Sequence, residues 1–152
     1  MSEITPKTVV LLPSSTITAS STGNAIAVYR FPFRKARVRL KYGTGSGTTP
    51  TLNVYLQKGM ATAAAADASG AVATGALEWQ DLASFAQSTG TAGTQYAEII
   101  ETSSVVQASK DAALTVSTVA AGPMGTWWRV KYVVAGSTPS FATVSVTAEL
   151  IP

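Results

Sequence analysis

Hydrophobic and polar residues alternate along much of this chain, and the alternation predicts β-strands. It is clearest over residues 142–150, where every second residue is apolar and the residues between are Thr, Ser or Glu. Successive side chains of a strand point to opposite faces, so a period of two indicates a strand that is buried on one face. The same period over 51–57 and 127–134 predicts two further half-buried strands.

Shorter stretches bring the prediction to about nine strands. These stretches cover residues 8–12, 15–19, 25–31, 35–42, 96–101 and 113–119. Turn-forming residues separate the strands at 21–24, 43–50, 122–125 and 136–139. Short strands with regular turns predict an all-β fold, namely an antiparallel β-sandwich of jelly-roll type. We expect one domain over residues 1–152, with residues 1–24 as a candidate extended N-terminal arm.

Two segments depart from the alternation. Residues 59–76 are rich in Ala and Gly, and they lack the apolar stripe of an amphipathic helix. Ala favours a helix while Gly opposes it, so we predict a loop here, with a helix as the alternative. In residues 79–85, Trp79, Leu82 and Phe85 have helical spacing, although the segment equally fits a bulged strand.

A weak internal repeat links two distant parts of the chain. The tetrapeptide Arg-Leu-Lys-Tyr at 39–42 precedes a glycine-rich stretch and a Thr-Pro pair at 49–50. Arg-Val-Lys-Tyr at 129–132 likewise precedes a glycine and a Thr-Pro pair at 138–139. Each copy is predicted to form a β-hairpin. Recurrence of a hairpin design explains a single pair of copies better than internal duplication does.

The composition narrows the class of protein. Only 12% of the 152 residues are charged, against about 25% in a typical soluble domain, so Thr, Ser, Gly and Ala must form much of the surface. There is no Cys and no His, which excludes disulfides, thiol nucleophiles, thiolate or imidazole metal ligands and histidine catalysis. No secretory signal or membrane-spanning run is recognisable. We expect a soluble protein that is made in the cytoplasm.

The remaining candidates for catalysis or metal binding are weak. The carboxylates do not cluster as calcium loops require, and glycosidase chemistry needs two of them in one cleft. The glycines of residues 43–47 lack the Gly-Lys-Ser/Thr ending and the following helix of a phosphate loop. We therefore expect a non-enzymatic protein without a cofactor or a metal site.

The densest charged feature is basic. Six of the 11 cations lie within residues 30–41, and no acid separates them. On a strand, alternate residues share a face, so the cations from position 35 onward would form a stripe with intervals of about 6.6 Å. The members of the candidate docking stripe are Arg34, Lys35, Arg37, Arg39 and Lys41.

This stripe is interpreted as a docking face for an acidic partner. Arg129 and Lys131 would widen it if the two repeated segments were neighbours in the sheet. The alternative is a solvated strand face, or an edge strand that charge keeps soluble. Nucleic acid is a weaker candidate, because no aromatic residues interleave with the cations.

Adjacent tryptophans at 127 and 128 must point to opposite faces of a strand. Trp128 is in phase with Val130 and Tyr132, so we place it in the core and Trp127 on the surface. Trp127 is then a candidate contact residue. We favour a subunit interface over a sugar-stacking platform, because no polar cluster is evident beside it.

Three segments carry a resemblance to known proteins: GTTPTLNVYLQ (47–57), WQDLASFAQ (79–87) and WWRVKYVVAGSTPSFATVSV (127–146). Together they resemble small β-rich virion proteins of tailed bacteriophages. The resemblance implies a capsid decoration, or cement, protein on the capsid surface. Such proteins are jelly-roll-like and often homotrimeric, and they brace the major capsid protein. The resemblance carries over no functional residue.

Two other functions stay open from the sequence. One is a phage tail, baseplate or head-fibre adhesin domain, and the other is a carbohydrate-binding module. Symmetric association and affinity for capsids would favour decoration, whereas glycan binding by a monomer would favour the module.

Overall fold

The computed structural model describes residues 5–61, 77–100, 115–120 and 124–152. Within these ranges the chain forms nine β-strands and one short 3-10 helix, Val28–Arg30. The strands are β1 (Lys7–Ile17), β2 (Ser21–Thr22), β3 (Ile26–Ala27), β4 (Lys35–Tyr42), β5 (Gly45–Ala61), β6 (Leu77–Ser84), β7 (Gly93–Ile100), β8 (Thr118–Val119) and β9 (Trp127–Ile151). All of the strand pairs are antiparallel. The all-β antiparallel class is thus confirmed, while the jelly-roll connectivity stays a prediction.

The long strand β9 organises the sheet, because its two ends pair with different neighbours. Its C-terminal part lies between β1 and β4, and β7 extends this group beyond β4. Its N-terminal part lies between β5 and the short strands β2 and β3, and β6 and β8 extend this group beyond β5. We call the group that contains β4 half-sheet I and the group that contains β5 half-sheet II.

Both half-sheets direct their apolar side chains into one hydrophobic core. Val38 and Leu40 enter it from β4, Leu56 from β5 and Val146 from β9, each at most 1% exposed. Trp128 is fully buried, and its indole lies edge-on to Phe33 with 5.6 Å between ring centroids. The indole nitrogen donates a 2.7 Å hydrogen bond to the carbonyl oxygen of Met124. The period-two pattern therefore predicted the buried face of these strands, and the inward position of Trp128 is confirmed.

The turns predicted at 43–50 and 136–139 are wrong over most of their length. β5 begins at Gly45 and runs through the first segment, and β9 runs through the second without a break. The two segments pair with each other, since Ser46 lies opposite Ser140 and Thr48 opposite Ser137. Register shifts on both sides of Thr48 mark bulges, where paired strands bend and twist strongly. We call this paired bend the corner.

The glycine and Thr-Pro parts of the two copies are consequently partners in one bent strand pair, and the two predicted hairpins are wrong. Corresponding residues of the two copies have matching backbone angles: φ is +108° at Gly47 and +116° at Gly136, and 48° at both Thr49 and Thr138. Glycine supplies the positive φ without steric cost. The glycine, threonine and proline that suggest a turn in isolation form a bend in a continuous strand here.

Several smaller predictions have mixed outcomes. Residues 79–85 are the bulged strand rather than a helix, because β6 pairs with β5 through a register shift at Leu56/Gln57. The predicted strands 8–12 and 15–19 are one strand, β1, which buries Leu11 and Leu12 in the core. The predicted loop at 59–76 begins as the end of β5, and its residues 62–76 lie outside the described part of the chain. The predicted strands at 96–101 and 113–119 and the turn at 122–125 are described only in part.

Candidate functional site

The basic stripe lies on the outer face of half-sheet I, away from the core. β4 presents Lys35, Arg37, Arg39 and Lys41 to solvent, and it buries the residues between them. It pairs with β7 on one side and with β9 on the other. The stripe therefore lies on an internal strand, so the edge-strand interpretation is wrong. Pairing on both sides holds the backbone of β4, which makes the spacing of the four cations a rigid property of the fold.

The strands beside β4 place acids next to one of these cations. Arg37 lies opposite Glu98 of β7 and opposite Glu149 of β9. Its Nε is 2.7 Å from Oε1 of Glu98, although both side chains are 56% exposed. The hydrogen bond and the negative charge of Glu98 raise the pKa of Arg37 above its ordinary value. No acid separates these cations in the sequence, but in the folded chain Glu98 and Glu149 lie beside the stripe.

The residues directly opposite the other three cations of the strand are uncharged. Lys35 lies between Ile100 and Ile151, Arg39 between Tyr96 and Thr147, and Lys41 between Thr94 and Ser145. Among the described residues, none of these three forms an ion pair. We call the surface formed by Lys35, Arg37, Arg39, Lys41, Tyr96, Glu98 and Glu149 the basic face.

A shallow depression marks the middle of the basic face. It has a volume of about 240 Å³, and Arg39, Tyr96 and Glu149 are among the residues that line it. Tyr96 is 61% exposed beside it. Arg34 precedes β4 with an exposed side chain, and its backbone N–H donates to the carbonyl oxygen of Ile151 at 2.9 Å.

Arg129 and Lys131 do not widen the stripe. They lie on the N-terminal part of β9, opposite Gln57 and Tyr55 of β5, and thus on half-sheet II. The predicted partner-binding residues are therefore divided between two surfaces. The sequence could not show this division, because it depends on which part of β9 each strand pairs with. β4 pairs with the C-terminal part of β9, whereas Arg129 and Lys131 lie in its N-terminal part.

A row of aromatic residues crosses the outer face of half-sheet II. Trp127 of β9 and Trp79 of β6 lie opposite Gly59 of β5, one on each side of it. A Cβ atom at Gly59 would lie 2.9 Å from the ring of Trp79, so glycine leaves the space that this indole occupies. Tyr29, which is 47% exposed, extends the row with its ring centroid 5.8 Å from that of Trp127. We call Tyr29, Trp127, Gly59 and Trp79 the aromatic row, and the predicted outward position of Trp127 is confirmed.

A row of polar residues runs beside the aromatic row. Nε of Arg129 donates to Oε1 of Gln57 at 2.8 Å, and Nε2 of Gln57 donates to Oδ1 of Asp81 at 2.8 Å. Gln57 and Asp81 are fully buried. The guanidinium of Arg129 lies over the ring of Trp79, 4.3 Å from its centroid. We call Arg129, Gln57 and Asp81 the polar row. Because Gln57 and Asp81 are buried, only Arg129 of this row reaches the surface, and the subunit interface at Trp127 stays a prediction.

Lys58 is a buried cation at the end of half-sheet II. It is 8% exposed, and burial lowers the pKa of its amine. A depression of about 260 Å³ lies beside it, lined also by Met60, Gln80 and Thr126. The sequence pattern did not single out Lys58 or the two buried members of the polar row. The sequence signal for them is the pair Gln57-Lys58, where the apolar alternation of residues 52–56 gives way to two consecutive polar residues.

The described residues contain no group of three or more acids that could hold a metal ion. No helix in the described part of the chain is long and apolar enough to cross a membrane. No protein-family model matches the chain, and no curated protein is significantly similar to it. The candidate sites are two outer surfaces: the basic face of half-sheet I, and the face of half-sheet II that carries the aromatic and polar rows.

Proposed function

We propose that this protein is a non-enzymatic capsid decoration, or cement, protein of a tailed bacteriophage, located on the capsid surface. In this proposal the basic face docks on an acidic surface of the major capsid protein. The observation that carries the proposal is the set of three exposed cations, Lys35, Arg39 and Lys41, on an internal strand without ion-pair partners among the described residues. The resemblance of three segments to phage virion proteins supplies the class of partner.

The pattern of charge on this face favours a protein partner over a nucleic acid. A phosphate backbone is uniformly negative, and it would meet the carboxylates of Glu98 and Glu149 on either side of Arg37. A protein surface can place carboxylates opposite Arg39 and Lys41 and other groups opposite the two glutamates. Complementary charge of this kind contributes mainly to specificity and to the association rate.

Reversing two charges of the basic face tests the proposal. In the variant Arg39→Glu/Lys41→Glu both altered side chains point away from the core. Exposed ion pairs contribute roughly 0.2–1 kcal/mol each, so two reversals should weaken capsid binding by roughly tenfold to a hundredfold. Arg37 is left in place, because a glutamate there would lie between Glu98 and Glu149 and would destabilise the fold.

Binding is measured by cosedimentation with capsids that lack the protein. The variant Lys7→Glu/Arg30→Glu is the matched control, since it makes the same change in net charge at two exposed sites outside the basic face. Wild-type binding should also weaken as salt rises from about 0.1 M to 1 M, where the Debye length falls from about 10 Å to about 3 Å. Equal binding by both variants, with no effect of salt, would show that the basic face is only a solvated surface.

The proposed assembly is a homotrimer. Sparse charge favours association, and soluble homo-oligomers usually adopt closed symmetry. Multi-angle light scattering at a protein concentration of about 10–100 μM should give three times the monomer mass of 15.6 kDa. A monomer under these conditions would contradict a trimer in solution.

A further inference from the structure

We propose that the middle of the basic face binds one aspartate or glutamate side chain that stands beside apolar residues in an exposed segment of the major capsid protein. The identity of the partner rests on the proposed function, and the inference adds which chemical group of that partner is bound and by which residues. Four residues carry it, one from each strand of half-sheet I, and we call them the mixed row: Val10, Thr147, Arg39 and Tyr96.

The mixed row crosses half-sheet I in register. Thr147 of β9 lies opposite Val10 of β1 on one side and opposite Arg39 of β4 on the other. Arg39 in turn lies opposite Tyr96 of β7. Directly opposed residues share a face of the sheet, so all four side chains belong to the outer face. Neighbouring strands lie about 4.8 Å apart, so the row is about 14 Å long.

The two ends of the mixed row are apolar and exposed. Tyr96 is 61% exposed and Val10 is 51% exposed. A partner that only matched the charge of this face would leave both side chains in water, whereas apolar residues of the partner would cover them with a gain in free energy. Tyrosine and arginine are also the residue types that most often dominate the binding energy of protein interfaces. The row therefore suits a segment in which apolar residues accompany an acid.

Arg39 is the cation of the mixed row, and its charge is available for a partner. In the described part of the chain it forms no ion pair, whereas the neighbouring Arg37 is paired with Glu98. A guanidinium group can bind a carboxylate through two parallel N–H···O hydrogen bonds, which the ammonium group of lysine cannot do. The mixed row thus offers a site for one carboxylate rather than only a diffuse positive field.

The depression in the basic face gives this carboxylate a place beside Arg39. Thr147 and Tyr96 line the depression together with Arg39, and each carries a hydroxyl group that can donate a hydrogen bond. Glu149 also lines it and lies opposite Arg37, so it repels a carboxylate from that side. Lys41 stands about 6.6 Å from Arg39 along β4, in the other direction. We therefore place the bound carboxylate on the side of Arg39 that faces Lys41.

Conservative variants separate this site from general attraction between charges. Arg39→Lys keeps the charge but loses the paired hydrogen bonds, so it should weaken binding to capsids that lack the protein by about fivefold to tenfold. Lys41→Arg is its matched control and should stay within about twofold of the wild type. Tyr96→Ala should weaken binding by about tenfold, whereas Tyr29→Ala, at an exposed tyrosine of the aromatic row, should change it by less than about twofold.

Photo-crosslinking on the capsid identifies the bound segment. Tyr96→p-benzoylphenylalanine should cross-link to a peptide of the major capsid protein that contains an acid, and Tyr29→p-benzoylphenylalanine should not. Replacing that acid by its amide should weaken binding by about tenfold. Arg39→Gln should then weaken binding to the altered capsid by less than about twofold, because its partner group is already gone.

The outcomes distinguish this inference from the proposed function. If Arg39→Glu/Lys41→Glu loses binding while Arg39→Lys and Tyr96→Ala bind like the wild type, the carboxylate site is overturned and docking through the basic face stands. A cross-link from position 96 to a peptide without an acid also overturns the site alone. Cross-linking from position 29 and not from position 96, or no capsid binding by the unaltered protein, overturns both.

Discussion

Replacing Gly136 by alanine should destabilise the protein by more than about 2 kcal/mol, because two separate costs meet at the corner. The backbone of Gly136 has a φ of +116°, a region that L-residues with a side chain rarely adopt. Left-handed backbone costs a residue with a Cβ atom about 1–2 kcal/mol. The added Cβ would also lie 2.8 Å from the carbonyl oxygens of Thr48 and Thr49 and 3.1 Å from Cα of Pro50.

Gly90→Ala separates these two costs. Gly90 has a similar φ of +113°, but its added Cβ would meet nothing closer than 3.4 Å. This control should lose about 1–2 kcal/mol of unfolding free energy from backbone strain alone. Urea denaturation, monitored by tryptophan fluorescence, measures both variants. If Gly136→Ala lowers the free energy of unfolding by no more than Gly90→Ala does, that result would contradict the close approach of the two strands at the corner.

Gly47→Ala should behave like Gly136→Ala, since its Cβ would lie 2.7 Å from the carbonyl oxygens of Ser137 and Thr138. Both glycines lie in the same strand pair, so the loss of unfolding free energy in the double variant should differ from the sum of the two single losses. Small domains are stable by only about 5–15 kcal/mol. Loss of both glycines therefore removes a large share of the total stability.

Trp128→Ala should destabilise the protein by about 3–5 kcal/mol, the usual cost of truncating a large buried aromatic residue to alanine. The indole is fully buried, contacts Phe33 and donates a hydrogen bond to the carbonyl oxygen of Met124. Its removal leaves a cavity between the half-sheets and an unpaired carbonyl group.

The neighbouring residue provides the control for Trp128. Trp127→Ala removes the same side chain one position earlier, from the outer face, where it is already partly exposed. It should lower the free energy of unfolding by well under half as much, since the apolar area that it buries is smaller. Trp128→Phe should give an intermediate loss. Equal losses for the two alanine variants would contradict the assignment of the two indoles to opposite faces.

The two candidate surfaces lie on different half-sheets. The basic face belongs to half-sheet I, and the aromatic and polar rows belong to half-sheet II. Arg39→Glu/Lys41→Glu and Trp127→Ala thus alter different faces of one fold. We expect the first variant to lose docking on the capsid and Trp127→Ala to retain it.

Local periodicity determined which residues are buried. Val38, Leu40 and Trp128 were assigned inward positions, and the cations of β4 and Trp127 outward ones, by the period of two alone, because successive side chains of a strand must alternate. The class of fold followed from the same signal. These features depend on a few neighbouring residues, so the sequence is enough to predict them.

Pairing between distant strands decided the course of the strands and the contacts between the candidate site residues. Gly47 and Gly136 with their Thr-Pro neighbours suit either a turn or a bulge, and only their mutual pairing made them a bend in two continuous strands. Glu98 and Glu149 lie far from Arg37 in the sequence, yet the order of strands places both beside it. Gln57 and Asp81 likewise became a buried polar row through the register of β5 and β6. Strand order and register arise from the packing of the whole sheet, so no local pattern could have shown these contacts.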